Sequence, residues 1–390
     1  MKLLALFLLF SQLASAYLSY GDASDGDCSF TSNQTFTSKT VWNCEDLTVD
    51  AGVVLTFIGQ SSPIQFRVKG TTTIDGTLTV SAGGSTSAGP GGSLGANCGA
   101  STCNNQPSTG AANGDGQGGG AGDGGGFGDG YGGGGGGAGF AFAGVVGAAG
   151  AGGSGASDGA LGSQGLAFVS AASLETSLVG GRGGGAGGSG DADSVTANSV
   201  GAAGIGGAGS GSIAIISKGD ISFGASSQIN AVGAPGTEGA ISASGAAYGG
   251  DGGGGSGGAI YIVSAGNVTV GAGASVNING GETTNGDTNS VAGGRGSDGI
   301  VAIDDADGAL TGSFNFTAPN LDGGSEQLGT TPAGILDPAR SSGNSGADFT
   351  SDIESSCAYR DNQEFQYFSF IMAFFLSLIL FSRISFLSLK

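Results

Sequence analysis

Apolar and polar residues alternate with a period of two in three parts of the chain, 36–83, 211–233 and 258–280, as in Thr77-Leu78-Thr79-Val80. That period places every second side chain on one face and predicts short β-strands rather than helices. The three parts are copies of one pattern. Segment 211–233, GSIAIISKGDISFGASSQINAVG, aligns without gaps on 258–280, GAIYIVSAGNVTVGAGASVNING, so that Ile213 meets Ile260, Ile221 meets Val268 and Asn230 meets Asn277. The same frame fits 64–84, with Ile64, Phe66, Gly70, Ile74, Val80 and Gly84 on matching positions, and partial copies lie at Leu47–Phe57 and Gly299–Phe316.

Each copy holds three strands separated by small or turn residues, with one inward row (Ile213, Ile215, Ile221, Phe223, Ile229). Three strands around one axis, stacked on the next copy, bury a narrow core that no single copy buries alone. The expected fold is all-β: a short right-handed parallel β-helix, with a β-sandwich as the alternative. Gly70, Gly219 and Gly266 fall at corners, where positive φ is expected. Asn230 and Asn277 fall at one corner of successive turns and are candidates for a side-chain hydrogen-bond ladder.

The intervals 85–210, 234–257 and 281–298 then read as insertions, and they hold most of the glycine, which totals 87 of 390 residues. Gly/Ala/Ser-rich stretches of this kind are usually flexible, so partly ordered loops are the first expectation. The segments also carry Phe140, Phe142, Val145, Val146, Leu161, Leu166, Phe168 and Val169, which leaves polyglycine-type packing against the β-helix as a second.

The two ends predict a secretory route. Residues 1–16, MKLLALFLLFSQLASA, combine Lys2, an apolar run and an Ala14-Ser15-Ala16 cleavage site, the pattern of a signal peptide. The ectodomain is then 17–317, followed by a Ser/Gly/Asp-rich stalk at 318–356. Residues 357–390 form a hydrophobic anchor signal or a C-terminal transmembrane helix. With Ser355 and Ser356 as attachment residues and Tyr359–Gln366 as spacer, the tail fits a removable lipid-anchor signal. With Tyr367–Phe381 extended on both sides and Arg383 and Lys390 as cytoplasmic charges, it fits a span. Either places the protein on the outer face of the plasma membrane.

Five Cys suit an oxidising compartment. Neighbour pairing, Cys28 with Cys44 and Cys98 with Cys103, is the simplest of three connectivities. The sequons at Asn33, Asn267 and Asn315 are candidate N-glycosylation sites.

Composition narrows the chemistry. The chain has no His and a net charge of −20. Ser-His-Asp and Cys-His devices and His-ligated zinc are therefore excluded, and nucleic acid is a poor partner. No cofactor is expected. Gly254-Gly-Ser256-Gly-Gly258 has the form of a nucleophile elbow, but no His exists to activate the Ser. Asp304, Asp305 and Asp307, and Asp46 with Asp50, are the candidate carboxylates if the chain is a polysaccharide lyase or hydrolase. Asp115, Asp123 and Asp129 approach a calcium nonapeptide repeat with the wrong spacing. A calcium-stabilised or ice-ordering surface is a third class. With 12 of 21 Phe between the two ends, no large aromatic core is expected.

The frame G-[SA]-I-x-I-…-G-[DN]-[IV]-…-[IV]-N resembles the rungs of haemagglutinin-like and related glycine-rich surface adhesins. The run Arg295-Gly-Ser-Asp-Gly-Ile-Val-Ala-Ile303 resembles their closing rung. The resemblance implies a secreted or surface-attached rod, non-enzymatic, whose partners are the membrane through its anchor and surface glycans or other wall or coat components.

Overall fold

The computed structural model describes residues 20–96, 131–140, 178–191, 200–241, 247–282, 291–305, 310–316 and 334–336, with scattered positions between 143 and 174. The chain divides into two compact units, Met1–Pro338 and Ala339–Lys390, and all described residues belong to the first. The signal segment, Cys98, Cys103, the three nonapeptide aspartates, Asp307, Ser355, Ser356 and the hydrophobic tail lie outside the described residues.

The described chain is all-β. Three parallel sheets are built from successive turns, each turn contributing one strand to each sheet, which is the arrangement of a parallel β-helix. The first turn is β1 (Cys28–Phe30), β2 (Gln34–Phe36) and β3 (Val41–Cys44), and the second is β4 (Leu47–Val49), β5 (Val54–Phe57) and β6 (Ile64–Val68). The third is β7 (Thr72–Ile74) and β8 (Thr77–Thr79), completed after β9 (Gly190–Asp191) and β10 (Val200–Gly201) by β11 (Ile213–Ser217). The fourth is β12 (Ile221–Phe223), β13 (Gln228–Asn230) and β14 (Ala259–Ser264); the fifth is β15 (Val268–Val270), β16 (Ser275–Asn277) and β17 (Ile300–Asp304). β18 (Asn315–Phe316) and β19 (Gly334–Leu336) begin a sixth.

Sheet 1 runs β1-β4-β7-β12-β15, sheet 2 runs β18-β16-β13-β8-β5-β2 and sheet 3 runs β19-β17-β14-β11-β6-β3. The register is that of the repeat: Ile213 pairs with both Ile260 and Ile64, Ile221 with Val268, and Asn230 with Asn277. The inward rows are buried, and Cys28 and Cys44 form a disulfide across the first turn.

Two expectations about this core are corrected. Aromatic residues are few but concentrated. Phe30, Phe36, Trp42, Phe57 and Phe66 pack ring against ring in the first two turns, with Trp42 and Phe66 stacked at 5.0 Å between centroids. Counting Phe along the chain does not reveal this, because what matters is that the five project inward from adjacent strands. The corner glycines are also explained differently. Gly70, Gly219 and Gly266 are not among the described residues with positive φ. They are bare because the preceding turn lies against them. A Cβ on Gly219 would meet the Gly70 carbonyl oxygen at 2.5 Å, and one on Gly266 would meet Asp220 Oδ1 at 2.3 Å.

The insertions of the third, fourth and fifth turns all leave through one corner, between sheets 2 and 3. Their described parts are an ordered lateral bundle, not loops. Residues 180–188 and 201–210 run antiparallel, with Gly181, Gly184 and Gly187 donating to the carbonyls of Ser210, Gly207 and Gly204. The segment 249–258 sits at the centre. Its amides at 249, 252 and 255 donate to Ala240, Thr237 and Ala234; those at 250, 253 and 256 to Gly188, Gly185 and Arg182; those at 251, 254 and 257 to Val291, Gly294 and Ser297.

A hydrogen-bond period of three, with no bond inside the segment and three neighbours in rotation, is the pattern of extended polyproline II-type helices packed side by side. Backbones this close leave no room for a side chain. A Cβ on Gly253 would meet Gly136 O at 2.1 Å and Gly136 C at 2.4 Å. The root of the bundle closes sheet 3. Phe140, Val169 and Leu174 are buried against Ala214, Ile216, Tyr261 and Val263 on its outer face. Val145 and Leu166 are exposed, and Phe142, Val146, Leu161 and Phe168 lie outside the described residues.

Replacing Gly253 by Val forces backbone against backbone and costs about 3 kcal/mol. Limited proteolysis should then cut the variant within 131–299 while its β-sheet circular dichroism is retained. Wild-type resistance to cleavage in the variant would contradict the packing.

Candidate binding surfaces

With sheet 3 covered over β11, β14 and β17, sheets 1 and 2 are the faces open to solvent, and the period-two alternation decides what they show. On sheet 1 the outward residues Ser29, Thr48, Thr73, Ser222, Thr269 and Thr311 stand in register on adjacent turns. On sheet 2 one column is Thr35, Thr56, Thr79, Asn230 and Asn277. A second is Val54, Thr77, Gln228, Ser275 and Asn315. All are exposed or half-buried. Adjacent turns place the hydroxyls and amides of a column about 4.8 Å apart. No charged and no aromatic side chain interrupts the three columns, although the chain carries a charge of −20. Asn230 and Asn277 are in register as expected but on this open face, not at a corner. Asn277 Oδ1 accepts from its near neighbour Asn279 N at 3.2 Å.

Three acids stand at one corner, each engaged by an adjacent turn. At the corner between sheets 3 and 1, Asp46 Oδ1 accepts from Thr71 N at 2.6 Å, Asp220 Oδ1 from Asn267 N at 2.8 Å and Asp305 Oδ2 from Val268 N at 2.8 Å. Asp304 Oδ2 accepts from the Tyr261 hydroxyl at 2.6 Å. Asp50 belongs to a tight turn, its carbonyl accepting from Val53 N. Of these, Asp46, Asp50, Asp304 and Asp305 are the carboxylates considered for acid–base work, and Asp304 and Asp305 are each bound to different partners. Ser256 of the elbow-like sequence is fully buried in the polyglycine bundle, where its Oγ accepts from Arg182 N at 2.7 Å. Among the described residues no group of three His, Cys, Asp or Glu could hold a metal ion, and no helix is long and apolar enough to cross a membrane.

The sequon asparagines Asn33, Asn267 and Asn315 are all exposed. Asn33 Oδ1 accepts from Val54 N at 2.8 Å, holding the corner between sheets 1 and 2. A feature not singled out in the sequence is a latch over the open end of the helix. Lys39 Nζ donates to Asp25 Oδ1 at 2.7 Å and lies 5.4 Å from the centre of the Trp42 ring, while Asn43 N donates to Asp25 Oδ2 at 2.8 Å. These bonds, led by the one from Lys39, hold the Asp25 carboxyl below its ordinary value of 3.8; Ser24 does the same for Asp22.

The chain matches no protein-family model, no curated protein and no solved structure in comparisons of sequence and of fold.

A carboxyl whose pKa is lower in the folded than in the unfolded chain favours the fold above the unfolded value of 3.8. That contribution is lost as pH falls through the folded value. Emission from Trp42, the single tryptophan, should therefore change on acidification below that value, and the change should be smaller in Asp25→Asn. An equal change in both proteins would remove the latch from the account.

Proposed function

We propose that the protein is a non-enzymatic, membrane-anchored cell-surface glycoprotein with a structural or adhesive role. In this reading a right-handed β-helix is delivered by the secretory signal, held outside the plasma membrane by the C-terminal tail and decorated at Asn33, Asn267 and Asn315. The observation that carries the adhesive part is the set of uncharged hydrogen-bonding columns on sheets 1 and 2. They are rigid, in register and free of charge on a strongly acidic protein. Such a surface suits an extended neutral polymer, a glycan above all, whose own hydroxyls repeat along its length.

Among the described residues no hydroxyl of these columns donates to a carboxylate, so the surface offers no activated nucleophile. The carboxylates that a lyase or hydrolase would use are bonded to Tyr261 and to backbone amides. The resemblance to glycine-rich adhesins supports the same assignment at the level of architecture.

Purified ectodomain should bind immobilised neutral glycans reversibly and leave their chain length unchanged. Each buried hydroxyl contact contributes roughly 1 kcal/mol. Joint replacement of Thr48, Thr73 and Thr269 by Val therefore weakens binding by about tenfold or more. Release of shortened glycans, abolished by Asp304→Ala, would overturn the proposal in favour of an enzyme.

A further inference from the structure

Two tyrosines, 117 positions apart in the chain, are brought face to face where two glycine segments meet. Tyr131 opens the segment 131–140 and Tyr248 stands at the start of 247–258; the two segments run parallel, and Gly132 N donates to Tyr248 O at 2.9 Å. The rings are stacked with centroids 4.8 Å apart and planes within 3°. Both are half-buried, so the pair borders solvent. The other described tyrosines are placed differently. The Tyr20 hydroxyl is buried, and Tyr261 is 4% exposed with its hydroxyl bound to Asp304.

We propose that Tyr131 and Tyr248 are a site of oxidative cross-linking, joined as dityrosine by a peroxidase with hydrogen peroxide as oxidant. The inference is independent of the glycan-binding proposal. Each phenol gives up one electron and its hydroxyl proton, and peroxide takes both pairs and is reduced to two waters. The two phenoxyl radicals couple through the ring carbons ortho to oxygen. One Cε–Cε bond forms, and the hydrogen on each coupled carbon moves to its oxygen, restoring two phenols. The net change is the loss of two hydrogens from the protein.

Stacked rings on hydrogen-bonded backbones need only side-chain rotation to bring their edges together. Radical coupling is therefore favoured within the molecule over coupling between molecules. The bond would tie together two glycine segments that backbone hydrogen bonds and this ring pair hold side by side, and it closes a loop that shrinks the unfolded ensemble.

The test treats the dilute, folded full chain with hydrogen peroxide and a haem peroxidase. Trypsin cuts after Lys69, Arg182, Lys218 and Arg295, so the two rings fall in peptides 70–182 and 219–295. The expected result is dityrosine fluorescence in monomeric protein. A joined peptide pair, two hydrogens lighter than its parts, should carry the link at Tyr131 and Tyr248 on fragmentation. The treated protein should also have a raised melting temperature. Tyr131→Phe and Tyr248→Phe should each lose the link, and denaturation in urea before oxidation should lose it in the wild type. Absence of the 131–248 link in oxidised, folded wild type overturns the proposal, as does undiminished monomer fluorescence in either variant.

Discussion

The structure depends on backbone hydrogen bonding between chains that lie directly on one another. In the β-helix this is the stacking of parallel strands about 4.8 Å apart. In the lateral bundle it is the three-residue rotation of donors from 249–258 to its three neighbours. The first arrangement makes the second achievable. Because successive turns are held in register, their corners form a column, and insertions leaving through one corner of three adjacent turns start side by side. Each then has a neighbour within hydrogen-bonding distance where it departs, as Ala82 and Gly233 do at the root, where they donate to Val232 and Asn279 on the next turn.

Glycine is what allows this and also what makes it costly. A chain without side chains loses the most freedom on ordering and has little apolar surface to bury in return. Two features offset that cost. Nearly bare backbones approach until amides and carbonyls are paired on three sides, and the root of the bundle is fastened by apolar side chains. Phe140 and Leu174 close over the outer face of sheet 3, which would otherwise expose Ile216, Tyr261 and Val263. The outer faces of sheets 1 and 2, built from Thr, Ser, Asn and Gln with a single Val54, need no such cover.

The β-helix was legible in the sequence because its signal is carried by side chains. The alternation in Ile213–Ser217 and the gapless match to Ala259–Ser264 return as strand register. The bundle was not legible, because a hydrogen-bond period of three among glycines leaves no trace in side-chain chemistry; the same composition fits a flexible linker. The sequence locates the corner glycines but not the reason for them, since a tight approach of neighbouring turns and a positive φ demand the same residue. The carboxylates of Asp46 and Asp305 looked like candidate chemistry in the sequence. Their amide partners, Thr71 and Val268, become visible only once the turns are stacked. The hydroxyl columns lay in plain view in Thr77-Leu78-Thr79, but the sequence alone does not say which faces remain uncovered.

The central claim is that the glycine-rich segments form a hydrogen-bonded bundle seated on the β-helix. Hydrogen–deuterium exchange of the native protein, resolved by mass spectrometry over 180–188, 201–211 and 249–258, tests it most directly. These amides should exchange far more slowly than in an unstructured chain and be released together when the bundle opens. Exchange at the unstructured rate throughout these segments, with the β-helix strands still protected, would contradict it.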